Sequence, residues 1–242
     1  MFVALAIVFT ISFVAFGVGS GSTGLSDVLN NGLSAFGIGS GSSSGTSISK
    51  AQHLAAKHPQ SASAFRALAT ALETKNRNDE AIVALERYTH LNPTDTAALS
   101  ELAGLYLKQA STAQSIAQAA QIAAAPVTGG GLFGPDSTSP LGQAFATNPI
   151  VQAVGSKASS VVSAQYAIAQ TAGANAIATY KRLAKATPAD SSVQLELAQA
   201  AEGMGNTAVA IAAYRQFLKL SPADPSAGAV KARIKQLQPP KK

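Results

Sequence analysis

The chain has 242 residues, of which 47% are hydrophobic, 12% charged and 6% aromatic, and it contains no Trp and no Cys. The absence of Cys excludes disulfides, thiol nucleophiles and thiolate metal sites, and the abundant Ala favours helices. The net charge of +6 is not concentrated in a basic run longer than Lys241-Lys242, so we interpret it as a solvated surface rather than a site for nucleic acid or anionic lipid.

The N-terminal 18 residues are apolar and carry no charged side chain. Their length is close to the minimum for a helix that spans a bilayer. We therefore predict a transmembrane signal anchor at 1–18, which makes this a single-pass protein of the cell membrane with most of the chain extracytoplasmic. A cleaved signal peptide, with a weak site at Ala15-Phe16-Gly17, is the alternative, but no basic residue precedes the apolar stretch. A buried helix of a soluble protein is the least favoured interpretation.

Residues 19–46 are rich in Gly and Ser. Such a composition is typical of a flexible linker. A short amphipathic stretch between Leu25 and Phe36 interrupts it. The linker separates the predicted anchor from the remainder of the chain.

Beyond the linker, apolar residues recur at a spacing of 34. A period of 34 residues predicts an array of helix-turn-helix units. Small residues occupy positions where paired helices come closest, and a Pro follows each second helix and ends it. The pairs at this spacing include Leu68 and Leu102, Ala69 and Ala103, Ala176 and Ala210, Tyr180 and Tyr214, and Pro188 and Pro222.

These positions resemble the tetratricopeptide repeat, a 34-residue pair of antiparallel helices. The resemblance is greatest at 191–224, through Leu197-Ala198, Ala201, Gly205, Ala210, Tyr214, Phe217 and Pro222. Phe65 and Leu99 stand where the family usually has Trp. The resemblance implies an all-α solenoid over 47–238. We divide it into a half-repeat (47–59), repeat 1 (62–95), repeat 2 (96–190), repeat 3 (191–224) and a capping helix (225–238).

Repeat 2 is interrupted. Pro93 and Pro188 are 95 residues apart instead of 34, which indicates an insertion of 61 residues between its two helices. Because 110–125 strongly favour helix, we expect both helices to continue into a long hairpin at about 110–171, with its tip at 126–149. Large apolar residues at coiled-coil spacing predict the hairpin seam, and Gly155 and Gly173 are candidate points of interruption or bending. The predicted seam residues are Ile150, Val154, Val161 and Ile168.

The predicted hairpin carries few charges. Between Lys108 and Lys181 the charged residues are Asp136 and Lys157, whereas a solvated helix usually has a charged outer face. The hairpin is therefore either a contact surface or an Ala- and Gln-rich spacer. In the first case its tip would touch protein or lipid through Leu132, Phe133, Leu141 and Phe145.

No residue pattern predicts catalysis, a metal site or a cofactor. His53 and His58 are five residues apart, unlike the i, i+4 pair of helical metal sites, and the Gly-rich stretches lack the Lys-Ser/Thr of phosphate loops. Aromatic and basic residues do not alternate as in proteins that bind single-stranded nucleic acid. We expect a protein that is not an enzyme and that has no small-molecule substrate and no nucleic-acid partner.

The resemblance implies a protein partner, because such arrays commonly bind peptides in a concave groove lined by the first helix of each repeat. Some members of this family bind the terminal carboxylate of a peptide with a set of Lys, Asn and Arg residues. The residues at the corresponding positions of this chain do not match that set. We predict a membrane-tethered scaffold of the bacterial envelope type that binds its partner through this groove or the hairpin. The alternative is a fixed structural subunit of a larger membrane complex. The candidate groove residues are Arg66, Thr70, Glu73, Ser100, Gly104, Lys108, Gln199 and Glu202.

Overall fold

The computed structural model describes residues 47–124 and 139–238. The predicted anchor and linker (1–46) and the tip residues Leu132 and Phe133 lie outside these ranges. Within the described residues, no helix has both the length and the apolar character needed to cross a membrane.

The described residues form nine α-helices and no strands. The prediction of an all-α chain is therefore confirmed for this part of the protein. The helices are α1 (Ile48–Lys57), α2 (Ala62–Thr74), α3 (Asn78–Leu91), α4 (Thr96–Ala124), α5 (Pro140–Ala146), α6 (Pro149–Ala186), α7 (Ser191–Gly203), α8 (Thr207–Leu220) and α9 (Ala227–Leu237).

The helices stack in chain order as a solenoid. Three pairs, α2 with α3, α4 with α6, and α7 with α8, make the largest contacts, and each pair packs on the next through α3 against α4 and α6 against α7. The single helices α1 and α9 cover the two ends by packing on α2 and α8. Polar side chains start several helices: Asp95 accepts a hydrogen bond from the Ala98 N–H (3.0 Å), and Asp190 accepts one from the Ser192 N–H (2.9 Å).

The core follows the small and large apolar residues of the 34-residue pattern. Ala69, Ala103, Ala176 and Ala210 are completely buried, so the paired helices approach closely at these positions. One cluster of buried side chains lies between α2, α3, α4 and α6, and a second lies between α4, α6, α7, α8 and α9. Leu107 and Met204 pack against both clusters, which makes the core continuous along the solenoid.

Repeat 2 differs from repeats 1 and 3 in the residue at the turn between its two helices. The turns between α2 and α3 and between α7 and α8 contain Asn76 and Gly205, with φ of 56° and 71°. Asn and Gly are the residues that adopt this left-handed conformation most readily. The equivalent residue of repeat 2 is Ala110, which lies inside α4. The helix therefore continues to Ala124 instead of turning.

Helices α4 and α6 extend beyond the solenoid as an antiparallel hairpin, here called the arm (residues 110–124 and 149–171). The helix α6 is continuous over 38 residues, so neither Gly155 nor Gly173 interrupts it. At Gly173 a Cβ atom would lie 1.9 Å from Met204 Sδ. The glycine therefore leaves room for the flexible Met204 side chain at the end of α7.

The predicted seam of the arm was wrong by one residue. Ile150, Val154 and Ile168 are 73%, 39% and 41% exposed, whereas the buried stripe on α6 passes through Val151, Ala169, Ala172 and Ala176. On α4 the buried stripe consists of Ala110, Ala113 and Ala117. Apart from Val151 the buried residues named are Ala, whose small side chains allow the two helices to approach closely, while the larger Ile150, Val154 and Ile168 lie on the outside.

Candidate partner-binding surface

The candidate groove residues all lie on the first helices of the three pairs, α2, α4 and α7, whose outward surface we call the helix-A face. The structure distributes them into two regions. One region lies on α2 and α4, and the other lies between α4, α6 and α7.

Arg66 and Glu101 link α2 to α4. The Arg66 guanidinium donates a hydrogen bond to the Glu101 carboxylate at 2.5 Å, and both side chains are partly buried. The Arg66 guanidinium also lies 5.8 Å from the centre of the Tyr88 ring, within range of a cation–π contact. Arg66 is therefore held between the first two repeats and is less available to a partner than its position in the sequence indicated.

Glu73 lies beside this ion pair. Its Oε1 atom is buried and accepts no hydrogen bond. Burial and the neighbouring Glu101 carboxylate raise the pKa of Glu73 to about 7, and Arg66 opposes the shift only partly. Two carboxyl groups lie near one guanidinium, so one of them is more stable when it is neutral. Near neutral pH the favourable arrangement is a protonated Glu73 that donates a hydrogen bond to the ionised Glu101.

The Tyr88 hydroxyl connects the end of α3 to the start of α4. It donates to Asp95 Oδ2 at 2.5 Å and accepts from Asn92 Nδ2 at 3.1 Å. The hydrogen bond from Tyr88 lowers the pKa of Asp95. The carboxylate stays ionised and caps α4, and its hydrogen bond from Tyr88 ties the start of α4 to α3.

The remaining candidates on α2 and α4 form a more open surface. Thr70 is exposed and donates to the Arg66 carbonyl of its own helix at 3.0 Å. Ser100 is half-buried, and Gly104 and Lys108 are exposed along the same side of α4. The Lys108 ammonium lies 3.5 Å from Asn78 Oδ1 at the start of α3, so it is partly engaged within the protein.

A cleft of about 220 Å³ lies between α4, α6 and α7. Leu107, Ala200 and Met204 form apolar walls, and Gln199 is exposed at the rim. Burial, with the nearby Asp190 carboxylate, raises the pKa of Glu196 at the same rim. The other lining residues are Tyr180 and Gly203. The 34-residue register predicts Gln199 at this surface but not the apolar walls, since the cleft depends on how far apart α4 and α7 lie.

Glu202 is hydrogen-bonded to the capping helix α9. Its carboxylate accepts a hydrogen bond from Arg233 Nε at 2.6 Å and one from the Tyr214 hydroxyl at 2.8 Å. The hydrogen bond from Arg233 is the main cause of the lowered pKa of Glu202. This predicted partner-binding residue therefore joins α7, α8 and α9, and its first role in the structure is to hold α9 in place.

The arm offers a different surface. Leu141 and Phe145 lie on the short helix α5, which precedes α6 at the outer end of the arm. Six large apolar side chains of the arm are substantially exposed, and a shallow cleft of about 630 Å³ lies between α4 and α6 near Ile150. The six are Ile116, Ile122, Ile150, Val154, Tyr166 and Ile168.

The described residues contain no group of three or more His, Asp or Glu side chains placed to hold a metal ion. The two clefts have mainly apolar walls. The helix-A face and the arm can therefore each bind apolar side chains of another molecule.

Comparison with known proteins gives one family match. The family model described as tetratricopeptide repeat matches residues 191–224, which comprise α7, α8 and the turn after them. No curated protein matches the sequence. The α7–α8 pair packs in series with two further helical pairs of the same antiparallel kind. The chain thus carries a tetratricopeptide repeat within a helical solenoid, an architecture that generally mediates protein–protein interaction.

Proposed function

We propose that this protein is a membrane-tethered scaffold that binds a protein partner on its helix-A face. The cleft between α4 and α7 carries the proposal. Its apolar walls surround space for one side chain, and Gln199 and Glu196 at the rim can hydrogen-bond to a peptide backbone. An apolar anchor within a polar rim is the usual arrangement of an energetically important contact.

The membrane tether is proposed from the sequence of residues 1–46. An uncharged apolar stretch of 18 residues precedes a Gly/Ser-rich linker of 28 residues. A flexible linker of this length has a root-mean-square span of roughly 30 Å. The solenoid would then stay within reach of partners in or near the same cell membrane.

The cleft is tested by filling it. Gly203 lines the cleft, and a Cβ atom at Gly203 would meet no other atom within 4 Å. A photoreactive amino acid at Gln199 of the full-length chain, activated in intact cells, is expected to form a discrete adduct with a partner protein. Gly203→Trp should abolish this adduct because the indole occupies the space of the partner's side chain.

Gly228→Trp is the matched control. Gly228 is a helical glycine on α9 with equally open surroundings, but it does not line the cleft. This variant should leave the adduct intact. An adduct at Gln199 that survives Gly203→Trp would show that the partner does not use the cleft, and no adduct at all would contradict the proposed function.

The tether is tested separately. Full-length protein should stay in the membrane fraction after extraction with alkaline carbonate, and a variant lacking residues 2–18 should be released. Protease added from the outer side should digest the solenoid. Digestion only from the cytoplasmic side would reverse the proposed orientation, and release of the full-length protein by carbonate would contradict the anchor.

A further inference from the structure

The arm has a second apolar stripe beside its buried seam. On α6 it runs through Ile150, Val154, Lys157, Val161, Ala164 and Ile168, at alternating spacings of four and three residues. Because each residue of a helix turns by about 100°, this stripe lies about 100° around α6 from the seam that packs on α4. Ile150, Val154 and Ile168 on it are exposed.

Helix α4 adds a parallel stripe on the same side. Ile116, Ala119 and Ala123 are exposed at spacings of three and four residues. Ala123 and Ile150 line the same cleft, which places both stripes on one face of the arm. We call this the arm face. The other sides of the arm carry mainly Ser and Gln, with Ile122 and Tyr166 as exceptions.

The side of α6 that carries the arm face reaches α3 at its solenoid end. Continuing the α6 stripe at the same alternating spacing leads to Thr171, Asn175, Ala178 and Arg182. Arg182 donates a hydrogen bond to the Thr89 carbonyl of α3 at 3.1 Å. This side of α6 therefore contacts a second helix within the solenoid, whereas along the arm Ile150, Val154 and Ile168 are exposed.

We propose that a second copy of this chain covers the arm face, and that the two arms form an antiparallel four-helix bundle. In such a bundle each helix packs on two neighbours on sides roughly 90° apart, which is the angle between the two stripes of α6. The stripe on α6 covers 19 residues and the arm part of α4 has 15, so at ~10 Å per helix they present a face of roughly 500 Å². Two such faces bury roughly 1,000 Å², about the lower limit expected of a specific interface.

Charge favours a second copy in this orientation. Lys157 is the one charged residue in the two segments of the arm, 110–124 and 149–171, so a net charge of +5 out of the chain's +6 lies outside the arm. Two arm faces meet without like-charge repulsion apart from Lys157, and antiparallel pairing keeps the two basic bodies at opposite ends. With the two-fold axis near Val161, Lys157 lies close to Ala164 of the second copy. Its ammonium can then reach water past this small residue.

The chain has no Cys, so single cysteines test the pairing directly. Val161→Cys in the full-length chain, oxidised in intact membranes, should give a disulfide-linked homodimer. Mixed Val154→Cys and Ile168→Cys chains should crosslink to each other, whereas Val154→Cys alone should not, because its two copies would be roughly 20 Å apart. Ser163→Cys, an exposed position about 200° from Val161 around α6, is the matched control and should not crosslink.

Sedimentation of the full-length chain in mild detergent provides the second measurement. The protein mass should be twice that of one chain at micromolar concentration, and Val154→Glu/Ile168→Glu should return it to that of one chain with unchanged far-ultraviolet circular dichroism. Crosslinking of Val161→Cys no greater than that of Ser163→Cys would overturn the proposal. The proposal would also be overturned if the protein were monomeric and single cysteines on the arm face were protected from a thiol reagent only when lipid vesicles were added, because lipid would then cover the face. Crosslinking of Val154→Cys to itself would overturn the antiparallel arrangement.

Discussion

At the scale of single residues, Glu73 illustrates how the solenoid constrains a group that the sequence presents as a surface residue. Its carboxyl lies against Glu101, and Arg66 is already hydrogen-bonded to Glu101. The folded protein therefore holds a proton on Glu73 up to a pH of about 7, whereas the unfolded chain releases it near 4.5. Between these values the folded state binds more protons than the unfolded state, so its stability falls as the pH rises.

Glu73→Gln should remove this pH dependence. The amide is neutral at every pH and can donate to Glu101, so the variant should gain stability relative to the wild type as the pH rises from about 4.5 to 7. We expect a gain of roughly 1 kcal/mol, less than the full shift would give because the carboxyl is partly exposed. Urea unfolding of both proteins at pH 5 and pH 8 measures it. Equal differences at the two pH values would contradict the shared proton.

At the scale of secondary-structure elements, the arm shows which part of the fold follows from the sequence. The 34-residue spacing and the interruption between Pro93 and Pro188 predict paired helices that continue outward, since helix ends depend on local residues such as Asp95 and Pro188. The face on which α4 and α6 meet does not follow from the same pattern. Two adjacent stripes of α6 both have heptad spacing, and the structure buries the smaller residues.

The side-chain contacts of the candidate surface were predictable only in part. The 34-residue register assigns Arg66, Gln199 and Glu202 to the first helices of their repeats. It cannot show that Arg233, 31 residues away, reaches Glu202. It also cannot show that Leu107 and Met204 leave a cleft between them, because both depend on the spacing between helices rather than on the residues of one helix.

The seam is tested by the same substitution at two neighbouring positions. Ala169 is 3% exposed between α4 and α6, and Ala167 is exposed on the same helix. Ala169→Leu should separate the helices and cost about 1–3 kcal/mol by overpacking, with faster amide exchange along the arm. Ala167→Leu should change the free energy of unfolding by less than about 0.5 kcal/mol. A similar cost for the two variants would show that the helices meet on another face.

At the scale of the whole molecule, the arm is an extension added to a regular array rather than a separate domain. The residues that turn the chain in repeats 1 and 3, Asn76 and Gly205, have positive φ, and repeat 2 has Ala110 at that position. Ala disfavours this conformation by about 1–2 kcal/mol. The α4–α6 pair nevertheless has buried alanines and a Pro after its second helix at the same positions as the neighbouring repeats. A repeat of normal length is therefore present within this longer pair.

Removal of the arm should therefore leave a complete solenoid. Deleting residues 110–170 joins Gln109 to Thr171, and Thr171→Gly then supplies the residue type that the turn requires. This trimmed chain should unfold cooperatively, whereas the same deletion that keeps Thr171 should be about 1–2 kcal/mol less stable because a β-branched residue must adopt positive φ. Thermal melts followed by circular dichroism compare the two.

The trimmed chain also separates the two proposed surfaces. The cleft between α4 and α7 lies outside the deleted segment, since its lining residues are at 107, 180 and 196–204, so the adduct at Gln199 should persist. Self-association should be lost together with the arm face. If the trimmed chain instead fails to fold in both forms, α4 and α6 depend on their outer turns for stability, and the arm is part of the folding unit rather than an addition to it.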